Sequence, residues 1–343
     1  MMIKISNVVG LAQNEDKIRA LNNILMACGE GKHVLWMPAK LADQIIQENI
    51  ISGYQLNVLY FVREQSRLTK AHLDQLDFYV DVGFDEPVPI GFIAPRTFRL
   101  SYDYFVDSAR VQLPVFVCEN ITDIDFYVMS GMVFLNNSKL LKEYALKFLK
   151  VGGGGNTTIC SFENHLRNHS LVICILDSDK SHPNALVKET ALRFDAYEKG
   201  WGQRYWLHIL DCTEAENLVP MRIAEEALHQ VGANAALQKF KALTPEARQF
   251  LDHKEGLRFS AALDIDRTLN APHWSTLYEE DDEGDYWISD PLGSSFLDRS
   301  VEIMSGMSTK KLAECFDVDL DNQLLSLASM VAAWGIGYKK SIR

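Results

Sequence analysis

Two hydrophobic patterns alternate along the middle third of the chain. Short, continuous apolar runs are typical of strands that are buried on both faces of a parallel sheet; they occur at 113–118, 171–176 and 205–210. Apolar residues at helical spacing lie between these runs, at 123–135, 138–149 and 183–198. Strands that alternate with helices predict an α/β fold with a parallel sheet.

The outer thirds of the chain have a different pattern. In the first third, apolar spacing predicts helices near 14–28 and 38–50 and an extended piece near 56–62. The last third is predicted to be mostly helical, at 221–230, 234–242, 244–252 and 321–334. We therefore divide the chain into an N-terminal extension without an assigned role, a central core and a helical C-terminal region, at 1–110, 111–220 and 221–343.

Composition indicates a well-packed globular protein, because 47% of the 343 residues are hydrophobic and 23% are charged. The net charge of −12 is opposite in sign to that of a chain that binds nucleic acid by bulk charge. The six cysteines form no CxxC pair, which argues against a zinc site or a disulfide framework. We expect a cytoplasmic protein, since neither a membrane-spanning apolar run nor a signal peptide is evident.

Acidic residues follow each of the three predicted strands. Glu119 ends the first, with Asp123 just beyond, and Asp177 and Asp179 follow the second. Asp211, Glu214 and Glu216 follow the third. Because functional groups collect at the carboxyl ends of parallel strands, these side chains are expected to converge on one acidic pocket.

Such a pocket favours a bound cation. Carboxylates that lie close together repel one another unless their pKa values rise or a cation binds between them. All-oxygen ligands suit Mg²⁺ or Mn²⁺. A single acid after a strand is more often a helix N-cap, but three acidic strand ends in one sheet favour the metal site. The acidic run at 279–285 is expected to be a solvated loop rather than a metal loop.

The order and spacing of these motifs resemble the TOPRIM domain, in the version found in overcoming-lysogenization-defect nucleases. The segment 117–123, Val-Cys-Glu-Asn-Ile-Thr-Asp, resembles the first TOPRIM motif, with Asn120 where the family has glycine. The segment 175–180, Ile-Leu-Asp-Ser-Asp-Lys, resembles the second. The glycine-rich 152–156 and Glu216-Asn217 also have counterparts there. The resemblance covers about 111–220.

The resemblance implies Mg²⁺- or Mn²⁺-dependent cleavage of phosphodiester bonds in DNA or RNA. Asp177 and Asp179 would hold the metal, and Glu119 would be a ligand or a general acid and base. Asp123 and Glu216 would complete the site. The implied strand order is 2-1-3-4. Relatives of this type often defend against bacteriophage beside a separate ABC-type ATPase, and the chain has no Walker A motif of its own.

Four lysines are candidate nucleic-acid contacts. Lys139, Lys142 and Lys150 lie near one side of the predicted helix at 138–149, and this side is either a solvated face or a face that binds the phosphate backbone. Lys180 adjoins the Asp-x-Asp and could contact a phosphate or remain solvated.

Two other classes of function stay open. A TOPRIM primase would need a zinc module and a topoisomerase a tyrosine-bearing domain, and neither signature is evident. The stronger alternative is a non-catalytic TOPRIM-derived scaffold or sensor subunit that binds a protein partner. The acidic charge and Asn120 slightly favour this alternative.

Overall fold

A computed structural model describes residues 1–85, 90–280 and 284–342 of the chain. It is a mixed α/β protein with two five-stranded, mostly parallel sheets. Three residues of the acidic run at 279–285 lie outside the described residues, so the predicted solvated loop there is not tested. No helix in the described ranges is long and apolar enough to cross a membrane.

The N-terminal region, to which the sequence assigned no role, forms a sheet of its own. Its strands are β1 (Met2–Lys4), β2 (Val34–Trp36), β3 (Tyr79–Gly83), β4 (Gly91–Ala94) and β5 (Thr97–Ser101). Their order is β2-β1-β3-β5-β4, and only the edge strand β4 is antiparallel to its neighbour. The region also contains helices α1 (Glu15–Gly29), α2 (Ala39–Gln47) and α3 (Gly53–Leu73).

Helix α3 includes the segment 56–62, for which the sequence predicted extended structure. Within it, Val58, Leu59 and Val62 are fully buried, at the spacing of one helix face. A short apolar run does not distinguish a buried strand from a buried helix, which explains the wrong prediction.

The central region contains the second sheet. Its elements are β6 (Val115–Cys118), α4 (Ile121–Asn137), β7 (Tyr144–Leu146), β8 (Leu149–Gly152), α5 (Thr158–Arg167), β9 (Val172–Leu176), α6 (Glu189–Leu192), β10 (Gly200–Trp201) and β11 (Tyr205–Ile209). The parallel strands lie in the order β8-β6-β9-β11, which matches the order 2-1-3-4, although the second strand in this order, β8, was not predicted as a strand. The short β10 adds an antiparallel edge.

The predicted helix at 138–149 is wrong. Lys139 adopts a left-handed φ of 59° just after α4 ends, and the chain then forms β7 and β8 instead. Strand β7 pairs with β14 (Ile336–Tyr338) near the end of the chain, and β8 pairs with β6. Local apolar spacing carries no information about these distant partners, and the helix prediction for 138–149 was therefore wrong.

The last third is mostly helical, as predicted. Its helices are α7 (Met221–Gln230), α8 (Asn234–Ala242), α9 (Pro245–Gln249), α10 (Phe259–Leu269), α11 (Trp274–Leu277), α12 (Phe296–Gly306), α13 (Thr309–Ala313) and α14 (Asn322–Gly335). A two-stranded sheet joins β12 (Leu257–Arg258) to β13 (Trp287–Ser289). Helix α14 packs on α4 and so supports the helix that begins at the acidic strand end.

One hydrophobic core connects all three regions. The ring of Trp201, in β10, lies 4.7 Å from that of Phe78 in the N-terminal region and 5.5 Å from that of Trp334 in α14. Trp201 therefore packs against the core. The shared core fixes the two sheets and the helical region relative to each other.

Candidate functional site

The first two acidic strand ends lie side by side. Strands β6 and β9 are parallel neighbours, with Val117 opposite Cys174. Glu119 is the first residue after β6, and Asp177 is the first residue after β9. Both side chains are half-buried at the same edge of the sheet. The structure thus brings together the two acids that the sequence placed on neighbouring strand ends.

Asp123 combines a structural role with a place in the acidic cluster. It lies in the first turn of α4, where its Oδ2 accepts a hydrogen bond of 2.9 Å from the backbone N–H of Asn120. The side chain is buried. Burial, with the nearby charges of Glu216 and Glu119, raises the pKa of Asp123 to about 7, although the Asn120 N–H and Lys254 oppose the shift.

The loop after β11 holds the Asp-x-Asp segment in place. Asp177 Oδ1 accepts a hydrogen bond of 3.1 Å from the N–H of Ala215. The N–H groups of Ser178 and Asp179 both donate to the Thr213 carbonyl, at 3.1 and 2.9 Å. Asp179 adopts a left-handed φ of 52°. The loop after β11 therefore fixes the path of the Asp-x-Asp segment that follows β9.

The third strand end contributes two buried acids, which pair with a lysine that the sequence analysis did not predict. Glu214 and Glu216 lie beside and within a short 3-10 helix, Ala215–Leu218. Lys254 Nζ lies 2.8 Å from Glu214 Oε2 and 3.1 Å from Glu216 Oε1. Asp211, the other acid after β11, is exposed. Lys254 is a single lysine in a turn far along the chain, and nothing in the local sequence distinguishes it.

Burial of several negative charges close together shifts the pKa values of the carboxyl groups in the cluster. Burial raises the pKa of Glu119, Asp177 and Asp179 above their usual values, and neighbouring carboxylates add to the shift. The pKa of Glu214 is raised to about 7 by burial and by Glu216, although Lys254 lowers it. Burial lowers the pKa of Lys254, but Glu216 and Glu214 outweigh it and raise the pKa above its usual value.

Two carboxylate oxygens in the cluster, Glu119 Oε1 and Glu214 Oε1, are buried and have no hydrogen-bond partner within the described part of the chain. A buried acceptor without a partner costs roughly 1–3 kcal/mol. The donor set contains only oxygen atoms, which suits a hard divalent cation. Among the described residues, however, no group of three or more His, Cys, Asp or Glu side chains is arranged to hold a metal ion. The residues fit Mg²⁺ or Mn²⁺ in chemistry, and binding would require the carboxylates to rotate toward one another.

The glycine-rich loop and α6 form the rim above Glu119. The Thr190 hydroxyl donates to Glu119 Oε2 at 3.3 Å. Gly155 has a φ of 62°, and a Cβ built there would lie 4.0 Å from the same oxygen. Arg193 Nε donates to Asn156 Oδ1 at 3.2 Å across the rim. The rim therefore holds Glu119 through Thr190, and Arg193 contributes a cation to the glycine-rich loop.

The predicted lysine face does not exist as one surface. Lys139 follows the end of α4, and this helix is about 25 Å long at 1.5 Å per residue, so the lysine lies far from the cluster at the helix start. Lys142 is exposed beside Glu143, and Lys150 in β8 pairs with Asp125. The three lysines were grouped on a helix that the structure replaces with strands. Lys180 remains next to Asp179, with its carbonyl accepting from Thr213 Oγ1 at 2.6 Å.

No family model, curated protein or solved structure matches this chain. The resemblance to the TOPRIM domain therefore remains a prediction from the motifs, and the functional argument depends on the geometry of the site.

Proposed function

We propose that this chain is a metal-dependent nuclease of TOPRIM type that hydrolyses phosphodiester bonds of DNA or RNA. The observation that carries the proposal is the convergence of acids from three strand ends on one partly buried cluster. Two oxygens of this cluster have no hydrogen-bond partner in the ranges that the structure describes, and four of its carboxyl groups, besides Asp123, have raised pKa values. Buried, unsatisfied carboxylates with perturbed pKa values are more typical of functional sites than of structural ion pairs.

Each acid has a distinct place in the proposed site. Asp177 and Asp179 would hold the metal, since the Ala215 N–H fixes the Asp177 side chain and the Thr213 carbonyl fixes the Asp179 backbone. Glu119 would be a ligand or would move a proton, because its pKa is raised and one of its oxygens is unpartnered. When bound, Mg²⁺ or Mn²⁺ would polarise the scissile phosphate and activate a water.

Glu216 and Asp123 would have a supporting role in the site and would not be its main metal ligands. Glu216 Oε1 is already paired with Lys254, and Asp123 Oδ2 caps α4. Both acids lie close enough to Asp177 to raise its pKa. They therefore set the charge of the pocket and would increase its affinity for a cation.

A substrate phosphate would be contacted by cations on the rim. Lys188 is close enough to Asp179 to oppose the upward shift that burial causes in its pKa, and Arg193 lies across the glycine-rich loop. Lys180 adjoins Asp179 in the chain. These three side chains replace the lysine face predicted from the sequence, and they provide local positive charge in a chain of net charge −12.

We further propose that the chain serves in defence against bacteriophage and works with a separate ABC-type ATPase. Support comes from the resemblance to two-component nucleases and from a sequence without a Walker A motif. Co-expression with the product of the neighbouring gene should give a stable complex, and the isolated chain should be weak or silent as a nuclease. Full activity of a strictly solitary protein would contradict this part of the proposal.

One observation favours the second candidate, a non-catalytic scaffold or sensor. Lys254 already supplies a positive charge to Glu214 and Glu216, and no metal-binding group is formed among the residues that the structure describes. A lysine that permanently takes the place of the metal ion would leave a folded but inactive site.

Nuclease assays with matched variants separate the two candidates. Labelled single- and double-stranded DNA and RNA are incubated with the chain and its co-expressed partner, with Mg²⁺, Mn²⁺ or EDTA. We expect cleavage that requires the metal and that is lost in Asp177→Asn. The control is Asp211→Asn, which changes an exposed strand-end acid outside the cluster and should retain activity. Equal cleavage by both variants would remove the nuclease proposal.

A further inference from the structure

A cavity of about 490 Å³ lies at the opposite end of the central sheet from the acidic cluster. Its lining includes Ser101, Asp103, Tyr104, Arg110, His169 and Arg204. His169 and Arg204 precede the amino ends of β9 and β11, whose other ends carry the acids. A five-residue strand is roughly 16 Å long, so the cavity is separate from the candidate nuclease site.

Arg204 presents a fixed positive charge to this cavity. Its guanidinium hydrogen-bonds to His169 Nδ1 and to the Leu166 carbonyl, the latter at 3.1 Å. These two bonds fix the plane of the guanidinium, and its Nε has no hydrogen-bond partner among the described residues. Burial and the charges of Arg110 and Arg204 lower the pKa of His169, so the imidazole does not add a third positive charge near neutral pH.

Arg110 approaches the same cavity from the segment before β6. Its Cζ lies 5.7 Å from the ring centroid of Tyr104, and its Nε is 3.7 Å from Asp107 Oδ2. The hydroxyl of Tyr104 donates to the His169 carbonyl at 2.6 Å, which connects the walls carrying the two arginines. Arg110 and Arg204 therefore converge on one space from different elements.

Ser101, at the carboxyl end of β5, completes the donor set. The residue is only 3% exposed, and its hydroxyl has no hydrogen-bond partner among the described residues. Buried hydroxyls are nearly always paired, so an unpaired one that lines the same cavity as two guanidinium groups is a candidate donor to a ligand.

We propose that this cavity binds a phosphomonoester of nucleotide size. Two guanidinium groups and a hydroxyl are the donors that recognise a phosphate group. The cavity is much larger than a phosphate ion, so part of the ligand must be organic. The exposed Asp103 carboxylate on the lining suits the hydroxyl groups of a sugar and disfavours a second anionic group. No residue of the acidic cluster lines the cavity, so this proposal does not depend on the nuclease proposal.

Calorimetric titration of the full chain with AMP tests the proposal, with inorganic phosphate and adenosine as comparison ligands. We expect saturable binding of AMP, weaker binding of phosphate and no binding of adenosine. Absence of AMP binding at about 1 mM would overturn the proposal. Adenosine binding as tight as that of AMP would also overturn it, because the phosphate would then contribute nothing.

Variants locate the bound ligand. Arg110→Gln should weaken AMP binding about tenfold, the effect of losing one charge-assisted contact. Ser101→Ala should weaken it several-fold and serves as a second variant if Arg110→Gln folds poorly. The control is Arg167→Gln, an exposed arginine that does not line this cavity. Unchanged AMP affinity in both cavity variants, or an equal loss in Arg167→Gln, would contradict the assignment.

Discussion

The ammonium group of Lys254 lies 2.8 Å from Oε2 of Glu214, inside the cluster of acids that the three strand ends form. The glutamate side chain is 6% exposed and the lysine side chain 33%. The positively charged lysine therefore offsets the repulsion among these carboxylates, as a bound metal ion would. If Lys254 acts together with a metal ion, the site is that of an enzyme. If Lys254 replaces the metal ion, the chain is a scaffold.

Replacement of Lys254 by Met should destabilise the protein. The change leaves Glu214 and Glu216 buried without their positive partner, and we expect a loss of about 2–3 kcal/mol, somewhat below the value for fully buried pairs. Thermal unfolding in EDTA measures the loss. Added Mn²⁺ should restore more stability to this variant than to the wild type, because the freed carboxylates attract a cation.

Lys239→Met is the matched control for Lys254→Met. Lys239 forms an ion pair of 2.6 Å with Asp290, but its side chain is 41% exposed. Surface pairs contribute at most about 1 kcal/mol. If both variants unfold at the same temperature, Lys254 is an ordinary surface partner and not a cation of the site.

The acidic cluster should make stability depend on pH through Asp123. With a pKa of about 7, this carboxyl keeps its proton in the folded protein at pH values where the unfolded chain, with a pKa near 4, has lost it. The resulting contribution to stability is lost as pH rises from about 4 through 7. Asp123→Asn cannot ionise, so its stability relative to the wild type should increase by on the order of 1 kcal/mol, roughly 2 °C, between about pH 5 and pH 8.

The measurement for Asp123 is a comparison of melting temperatures of the two proteins across pH in metal-free buffer. Taking the difference removes the effects of buried histidines such as His253, whose lowered pKa acts in the opposite direction at acid pH. A difference that stays constant across this pH range would show that the carboxyl does not titrate near neutrality.

Glu119→Gln distinguishes a metal ligand from a group that moves a proton. The change keeps the shape of the side chain and removes its charge and its proton acceptor. We expect cleavage to fall on the order of 10²-fold, and excess Mn²⁺ should not restore it. Recovery of most of the activity at high Mn²⁺ would instead assign Glu119 to metal binding alone.

The sequence predicted the arrangement of the site better than its surroundings. Glu119 and Asp177 could be placed together because parallel strands end at a common edge, and the buried runs before them are unambiguous. The order of the central sheet followed from the same reasoning. Lys254 could not be predicted, since its position depends on how the segment after α9 packs against the loop after β11.

The wrong predictions have a common physical cause. At 138–149, apolar residues at helical spacing form strands because their partners lie in β6 and near residue 337. In the first third, β1 and β2 have only three residues each, which is too short to show a period, and the sheet to which they belong was missed. Tertiary pairing decides both cases, and local pattern does not contain it.

Binding of Mn²⁺ to the purified chain, measured by electron paramagnetic resonance in the absence of nucleic acid, tests the central claim most directly. We predict saturable binding by the wild type and by the Asp211→Asn control, and its loss in the Asp177→Asn, Asp179→Asn double variant. Wild-type protein that binds no Mn²⁺, or a double variant that binds it as well as the wild type does, would contradict the metal-dependent site and leave the scaffold.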